Sequence, residues 1–185
     1  MTPLQRRWPG GRSQPHPDPG TIHEVALRML GARALSRVEI TERLEVRGFQ
    51  APVARAEVAR LERAGLIDDV ALARMVCQAQ LRAGRGRRAL TAVLRRRRVA
   101  REAATVALSE LEEEGEATAL AAAVATATRK HRWWRRLPEE RRKVVRYLLA
   151  RGFSLDQVRR ALHENGRNEP HGEETDDAGD PPSLP

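Results

Sequence analysis

Aromatic side chains are scarce in this 185-residue chain, at 3%, and there is a single cysteine. So few rings would not fill a β-sandwich or barrel, whereas helices packed through Ala and Leu need none. The lone Cys77 excludes an internal disulfide framework and any zinc site built on paired cysteines. No apolar run approaches the roughly 18 residues that cross a bilayer. The arginines of the opening MTPLQRRWPGG have no apolar stretch behind them, so no secretory signal is read. A phosphate loop of the form GxxxxGK(S/T) is missing. The five histidines, His16, His23, His131, His163 and His171, share no ligand spacing. The expectation is a cytoplasmic, membrane-free protein with no catalytic residue, no metal and no cofactor.

What is abundant is arginine. Lys+Arg number 34 against 25 Asp+Glu, a net charge of +9, and 32 of the basic residues are Arg. Residues 1–20 hold five of the eleven prolines, and 167–185 hold four more with six acids against Arg167. Both stretches read as disordered tails, since neither has the apolar surface to offset chain entropy. They carry +2 and −5, which leaves +12 on residues 21–166. A body this basic suits a polyanionic or acidic partner.

Three stretches superimpose without gaps, starting at Ile40, Leu90 and Val144. They share an apolar frame of Leu44/Leu94/Leu148, Phe49/Val99/Phe153, Ala54/Ala104/Val158 and Val58/Leu108/Leu162. Each reads as helix, tight turn, helix, with a further helix ahead of it, near 21–33, 69–83 and 116–131. The apolar spacing follows 3.6 and never alternates as a half-buried strand would. The predicted fold is all-α: three tandem three-helix repeats over 21–67, 68–113 and 114–166. Such a unit is expected to need its neighbours to bury its stripe, giving an elongated, curved stack.

Turn and cap residues mark the joints. Gly48 and Gly152 stand where a left-handed residue ends a helix, each followed by Phe49 or Phe153. Ser36 with Glu39, and Ser154 with Gln157, are spaced as capping boxes. Asp68 and Asp69 open the helix at 69, where an acid favours the N-terminus. A paired-carboxylate metal site is the other reading of that pair, but no third ligand lies at a useful spacing. Cys77 falls on an apolar face and reads as a small buried hydrophobe.

The stretch LERAGLIDDVALARMVCQAQLRAGRGRRAL (61–90), with its Leu-Ile-Asp-Asp at 66–69 and Gly86, and the Arg-Gly-Phe turns at 47–49 and 151–153, resembles the RecX family, regulators of the RecA recombinase. The likeness runs over roughly 22–165. Two positions depart from the pattern. Leu72 stands where the family usually has an aromatic, and Arg97-Arg98 replaces a Lys/Arg-Gly turn, so Arg98 must adopt a backbone geometry that suits glycine. The resemblance implies a non-enzymatic, monomeric regulator of recombination and DNA repair. It implies binding to RecA and to RecA–single-stranded DNA filaments, with inhibition of their extension, ATP hydrolysis and strand exchange. It also implies binding of single- and double-stranded DNA without strong sequence preference.

Two basic groups are the candidate DNA- or RecA-binding residues. Arg85, Arg87, Arg88, Arg95, Arg96, Arg97 and Arg98 place seven arginines in fourteen residues. Such a cluster neutralises phosphates regardless of sequence, though a solvated helix face would read the same way. The second group, Arg132, Arg135, Arg136, Arg141, Arg142 and Lys143, surrounds Trp133-Trp134. These rings can stack on unpaired bases, or at least one can plug the core. The acids of the last stretch (Glu173, Glu174, Asp176, Asp177, Asp180) either fold over a basic face or only solubilise.

A rival reading takes 36–67 as a winged helix-turn-helix of a transcription regulator. It needs a β-hairpin after Ile67, where the sequence offers a capped amphipathic helix instead. A general DNA-binding helical repeat is the remaining alternative.

Overall fold

A computed structural model describes residues 21–111 and 113–167; the two expected tails lie outside these, except Arg167, which closes the last helix. Nine helices and no strand occur among the described residues. The first repeat comprises α1 (Ile22–Ala32), α2 (Arg37–Val46) and α3 (Ala51–Arg63). The second comprises α4 (Asp69–Arg82), α5 (Arg87–Arg96) and α6 (Arg101–Ser109), and the third α7 (Glu113–Lys130), α8 (Pro138–Ala150) and α9 (Leu155–Arg167). α4 stands where the rival reading needs a hairpin.

Local chemistry sets the boundaries. Thr21 and Glu24 form a reciprocal capping box on α1. Ser154 and Gln157 form another, with Ser154 N–H donating to Gln157 Oε1 at 2.8 Å and Gln157 N–H to Ser154 Oγ at 3.2 Å. Pro52 and Pro138 occupy first-turn positions that can spare an N–H. The helices preceding Gly48 and Gly152 end on those residues at φ 91° and 93°. At the corresponding place in the second repeat Arg98 takes φ 53°, the one positive φ outside glycine among the described residues.

Each repeat closes its own core, contrary to the expectation that neighbours must share one. Val25, Ile40, Leu44, Val58 and Leu61 pack in the first; Leu72, Cys77, Leu90 and Leu94 in the second; Trp134, Val144, Leu148, Phe153 and Val158 in the third. Three helices suffice because the leading helix of each unit covers the stripe that the following pair exposes. Leu81 of α4 is the apolar residue that reaches two of these cores.

The apolar frame also needs one correction. In α6, Ala103 and Ala107 are buried while Ala104 and Leu108 are half-buried. A stripe of alanines lets α6 lie close against α4, which rotates the larger Leu108 to the edge.

Candidate nucleic-acid interface

The repeats meet through their turns, by hydrogen bonds that recur from joint to joint. At the second joint, Gly86 N–H donates to the Arg151 carbonyl at 2.9 Å and Arg88 N–H to the Gly152 carbonyl at 3.2 Å. Arg151 Nη1 donates to the Ala83 carbonyl at 2.6 Å. At the first joint, Ser36 Oγ donates to the Arg97 carbonyl at 2.9 Å, and Arg97 Nη2 to the Ala34 carbonyl at 2.6 Å. Arg97 and Arg151 are equivalent in the repeat, and so are Ser36 and Gly86.

These bonds explain why α5 starts on a glycine with no side-chain cap. Its first-turn N–H groups are satisfied by the carbonyls that end α8. The positive end of one helix dipole meets the negative end of another. Between the end of α5 and the start of α2 the Ser36 hydroxyl makes the contact to the Arg97 carbonyl, while Arg37 N–H donates to Asp69 Oδ1 and Glu39 N–H to Ser36 Oγ. The middle helices of the three repeats therefore follow one another end to end in the order α8, α5, α2. By helix rise alone α8 spans about 20 Å and α5 about 15 Å.

Charge is unevenly spread along this row. On α5, Arg87, Arg88, Arg95 and Arg96 are exposed, no acid shares the helix, and none of the four has a polar partner among the described residues. Arg85 is exposed just before it. On α8, Arg141, Arg142 and Arg146 are exposed and equally unpartnered, flanking Val145 and Leu149 in a shallow groove. α2 instead carries Glu39, Glu42 and Glu45 beside its arginines. Positive charge occupies two of the three segments.

The four-arginine run thus divides. Arg95 and Arg96 face solvent, whereas Arg97 is half-buried in the joint, its Nε 3.6 Å from Glu39 Oε2. Arg98 reaches back to the first repeat, with Nη1 3.7 Å from Glu42 Oε1. Glu39 is held by Arg33, Arg43 and Arg97, while Ser36 Oγ accepts from Glu39 N–H at 3.1 Å.

The second group surrounds the loop before α8. Trp134 is buried in the third core and Trp133 half-buried. Arg135 lies over Trp134 at 5.2 Å and donates to the Asn165 carbonyl at 2.7 Å; Arg136 lies over Trp133 at 5.7 Å. Lys143 Nζ donates to Glu140 at 2.6 Å, and His131 Nδ1 lies 2.8 Å from the same carboxylate. Those contacts, that of Lys143 foremost, hold the Glu140 carboxyl below the usual carboxylate range. Arg132 is exposed and unpartnered among the described residues.

Three features were missed in the sequence. Arg146 was visible as the i+4 neighbour of Arg142. The part of Arg151 in the joint left no local signal. Asp69 does more than open α4. Asp68 caps that helix, accepting from Val70 and Ala71 N–H at 2.9 Å each. Asp69 Oδ1 accepts from Arg37 N–H at 2.8 Å and its Oδ2 from Ala100 N–H at 3.2 Å, so it ties the starts of α2 and α6 together. No cluster of three or more His, Cys, Asp or Glu that could hold a metal occurs among the described residues. Burial raises the Cys77 thiol pKa. No described helix is long and apolar enough to cross a membrane.

Known proteins resemble this chain along most of that architecture. Residues 117–162 match the family description "RecX, third three-helix domain". The Regulatory protein RecX of Chromohalobacter salexigens is 34% identical over 150 residues, covering 77% of this chain and 91% of the relative. That of Halorhodospira halophila is 31% identical over 143 residues, covering 76% and 85%. A Mycobacterium sp. (strain JLS) Regulatory protein RecX is 37% identical over 108 residues, and there the chain spans 59% of the relative's length. The crystal structure of RecX from Lactobacillus salivarius shares the fold, with a TM-score of 0.68 at 18% identity over 77% of this chain and 93% of that one.

Proposed function

This chain belongs to the RecX family, and from that premise we propose that it is a cytoplasmic, monomeric regulator that binds RecA and RecA–single-stranded DNA filaments. In this reading it inhibits filament extension, ATP hydrolysis and strand exchange, with no chemistry, metal or cofactor of its own. It also binds single- and double-stranded DNA through its arginine-rich face without strong sequence preference.

The observation that carries the reading is the row α8–α5, two helices abutting end to end with seven exposed, unpartnered arginines. A phosphate backbone offers one charge per about 1.7 Å of duplex axis, so a line of cations needs no base readout to bind it. Guanidinium groups also pair in bidentate fashion with the carboxylates of an acidic protein surface. A long, repetitive partner presents either ligand many times along such a row.

The test is co-sedimentation with preformed RecA–single-stranded DNA filaments. The wild-type chain is expected to pellet with the filament, and R88E/R95E to pellet at least tenfold less well while melting at the same temperature. Equal pelleting would remove the α5 face from the interface.

A further inference from the structure

The chain's last described residues lie beside an arginine-lined cleft. Arg129, Arg132 and Arg135, with Trp134 and Asn165, line an open cleft of about 750 Å³ between the end of α7 and the end of α9. Arg135 is committed to the Asn165 carbonyl, but Arg129 and Arg132 are exposed and unpartnered among the described residues. Across 129–143 eight cations face two carboxylates, Glu139 and Glu140. Glu140 is already paired with Lys143 and His131.

Asn165 precedes by two residues the point where the described chain stops, at Arg167. The segment that follows, 168–185, contains six carboxylates and no Lys or Arg. Its first acid, Glu169, is four residues beyond Asn165, within about 14 Å of chain even when extended. Glu173, Glu174, Asp176 and Asp177 come next, and eighteen residues reach at most about 60 Å. The whole acidic segment is thus tethered at the mouth of the cleft. A short tether gives an effective concentration on the order of millimolar, so even weak ion pairs form within one molecule.

We infer that the acidic segment 169–180 seats on the Arg129–Arg132 cleft and the adjoining start of α8. It occupies within the chain the anion site that a phosphate backbone would take. The inference rests on the polyanion-binding reading above and adds a regulation to it: nucleic acid must displace the chain's own carboxylates. Arg141 and Arg142, one turn into α8, lie nearer the segment's anchor at Arg167 than does the α5 face, which sits beyond the far end of α8.

The test keeps the full chain and uses two readouts. A nitroxide on T175C, with Cys77 buried and unreactive, is expected to broaden the amide signals of 129–136 and 141–142 selectively. Adding an oligothymidylate, or raising salt, should relieve it. The sixfold neutralised chain (E169Q, E173Q, E174Q, D176N, D177N, D180N) is expected to lose that broadening. It should also bind the oligothymidylate about tenfold more tightly at low salt, with the difference closing at high salt. Absent or evenly spread broadening, with equal affinity of the two chains, would overturn the inference while leaving nucleic-acid binding intact. Selective broadening in a chain that binds no oligothymidylate, neutralised or not, would support the seating and refute the nucleic-acid reading instead.

Discussion

Gly86 and Gly152 approach so closely that neither position has room for a side chain. A β-carbon on Gly152 would fall 2.4 Å from the Ala89 nitrogen, and one on Gly86 would fall 2.6 Å from Phe153 Cδ1 and 2.8 Å from the Gly152 carbonyl carbon. This contact between two backbones is the joint of the second and third repeats. At the equivalent joint between the first and second repeats the pair is Ser36 and Arg98. There the serine hydroxyl, not a main-chain N–H, spans to the partner carbonyl. The two joints thus differ as pairs: where the turn carries Arg98 and not glycine, the opposing residue is a serine whose hydroxyl spans to the Arg97 carbonyl.

Substituting Gly152 is therefore costly on two counts, a φ of 93° and a blocked approach. G152V is expected to lose about 2–3 kcal/mol. For a chain of this size that lowers the melting temperature by roughly 5–10 °C. An unchanged melting curve would show that the joint does not contribute to stability.

Arg98 supplies the converse. It holds φ 53° without being glycine, a strain of about 1 kcal/mol or slightly more. Its 3.7 Å ion pair with Glu42 is exposed and adds little in return. R98G is expected to raise stability by about 0.5–1 kcal/mol in denaturant titration. A loss would mean that the Glu42 contact outweighs the backbone strain.

Within the arginine run, neighbours should behave as opposites. R95E/R96E is expected to leave the melting temperature unchanged and weaken binding to an oligothymidylate by at least tenfold. R97A removes the donor to the exposed Ala34 carbonyl and the guanidinium beside the half-buried Glu39, and is expected to destabilise the fold by about 1 kcal/mol. Paired melting and anisotropy measurements check both. Identical profiles for the two variants would refute the division.

Glu140 gives the pH dependence its sign. Its folded pKa lies below the unfolded one, chiefly through Lys143 and then His131. Its stabilising contribution is thus complete above the ordinary carboxylate pKa and is lost as pH falls through the lowered folded value. E140Q is expected to flatten the acid limb of stability against pH between neutrality and the strongly acidic range. An unaltered acid limb would show that the Lys143–Glu140–His131 contacts do not persist in solution.

Much of this architecture could be read from spacing alone. A period of 3.6, repeated at offsets of 50 and 54 residues, places nine helices, and glycines at 48 and 152 place two turns. The strain at Arg98 was legible because a glycine was missing from a recurring pattern. What the sequence concealed is carried by backbone groups or by residues distant in the chain. The Gly86–Arg151 bond joins two peptide groups, and Asp69 looks like a cap for its own helix while capping two others. Charge composition revealed that arginines cluster, but only the joint shows that Arg97 is held inside while Arg95 and Arg96 face solvent. The alanine stripe of α6 was misread for a related reason. Small residues pack closely enough to turn a helix away from the frame its larger residues suggest.

We propose that this protein restrains RecA through contacts with the filament and not by coating DNA. The most direct measurement is RecA ATP hydrolysis on preformed single-stranded DNA filaments, with the protein titrated in at a salt concentration where it does not cover DNA by itself. The account expects inhibition below one copy per RecA protomer, weakened at least tenfold by R88E/R95E. Inhibition only at DNA-saturating amounts, or none at all, would contradict it.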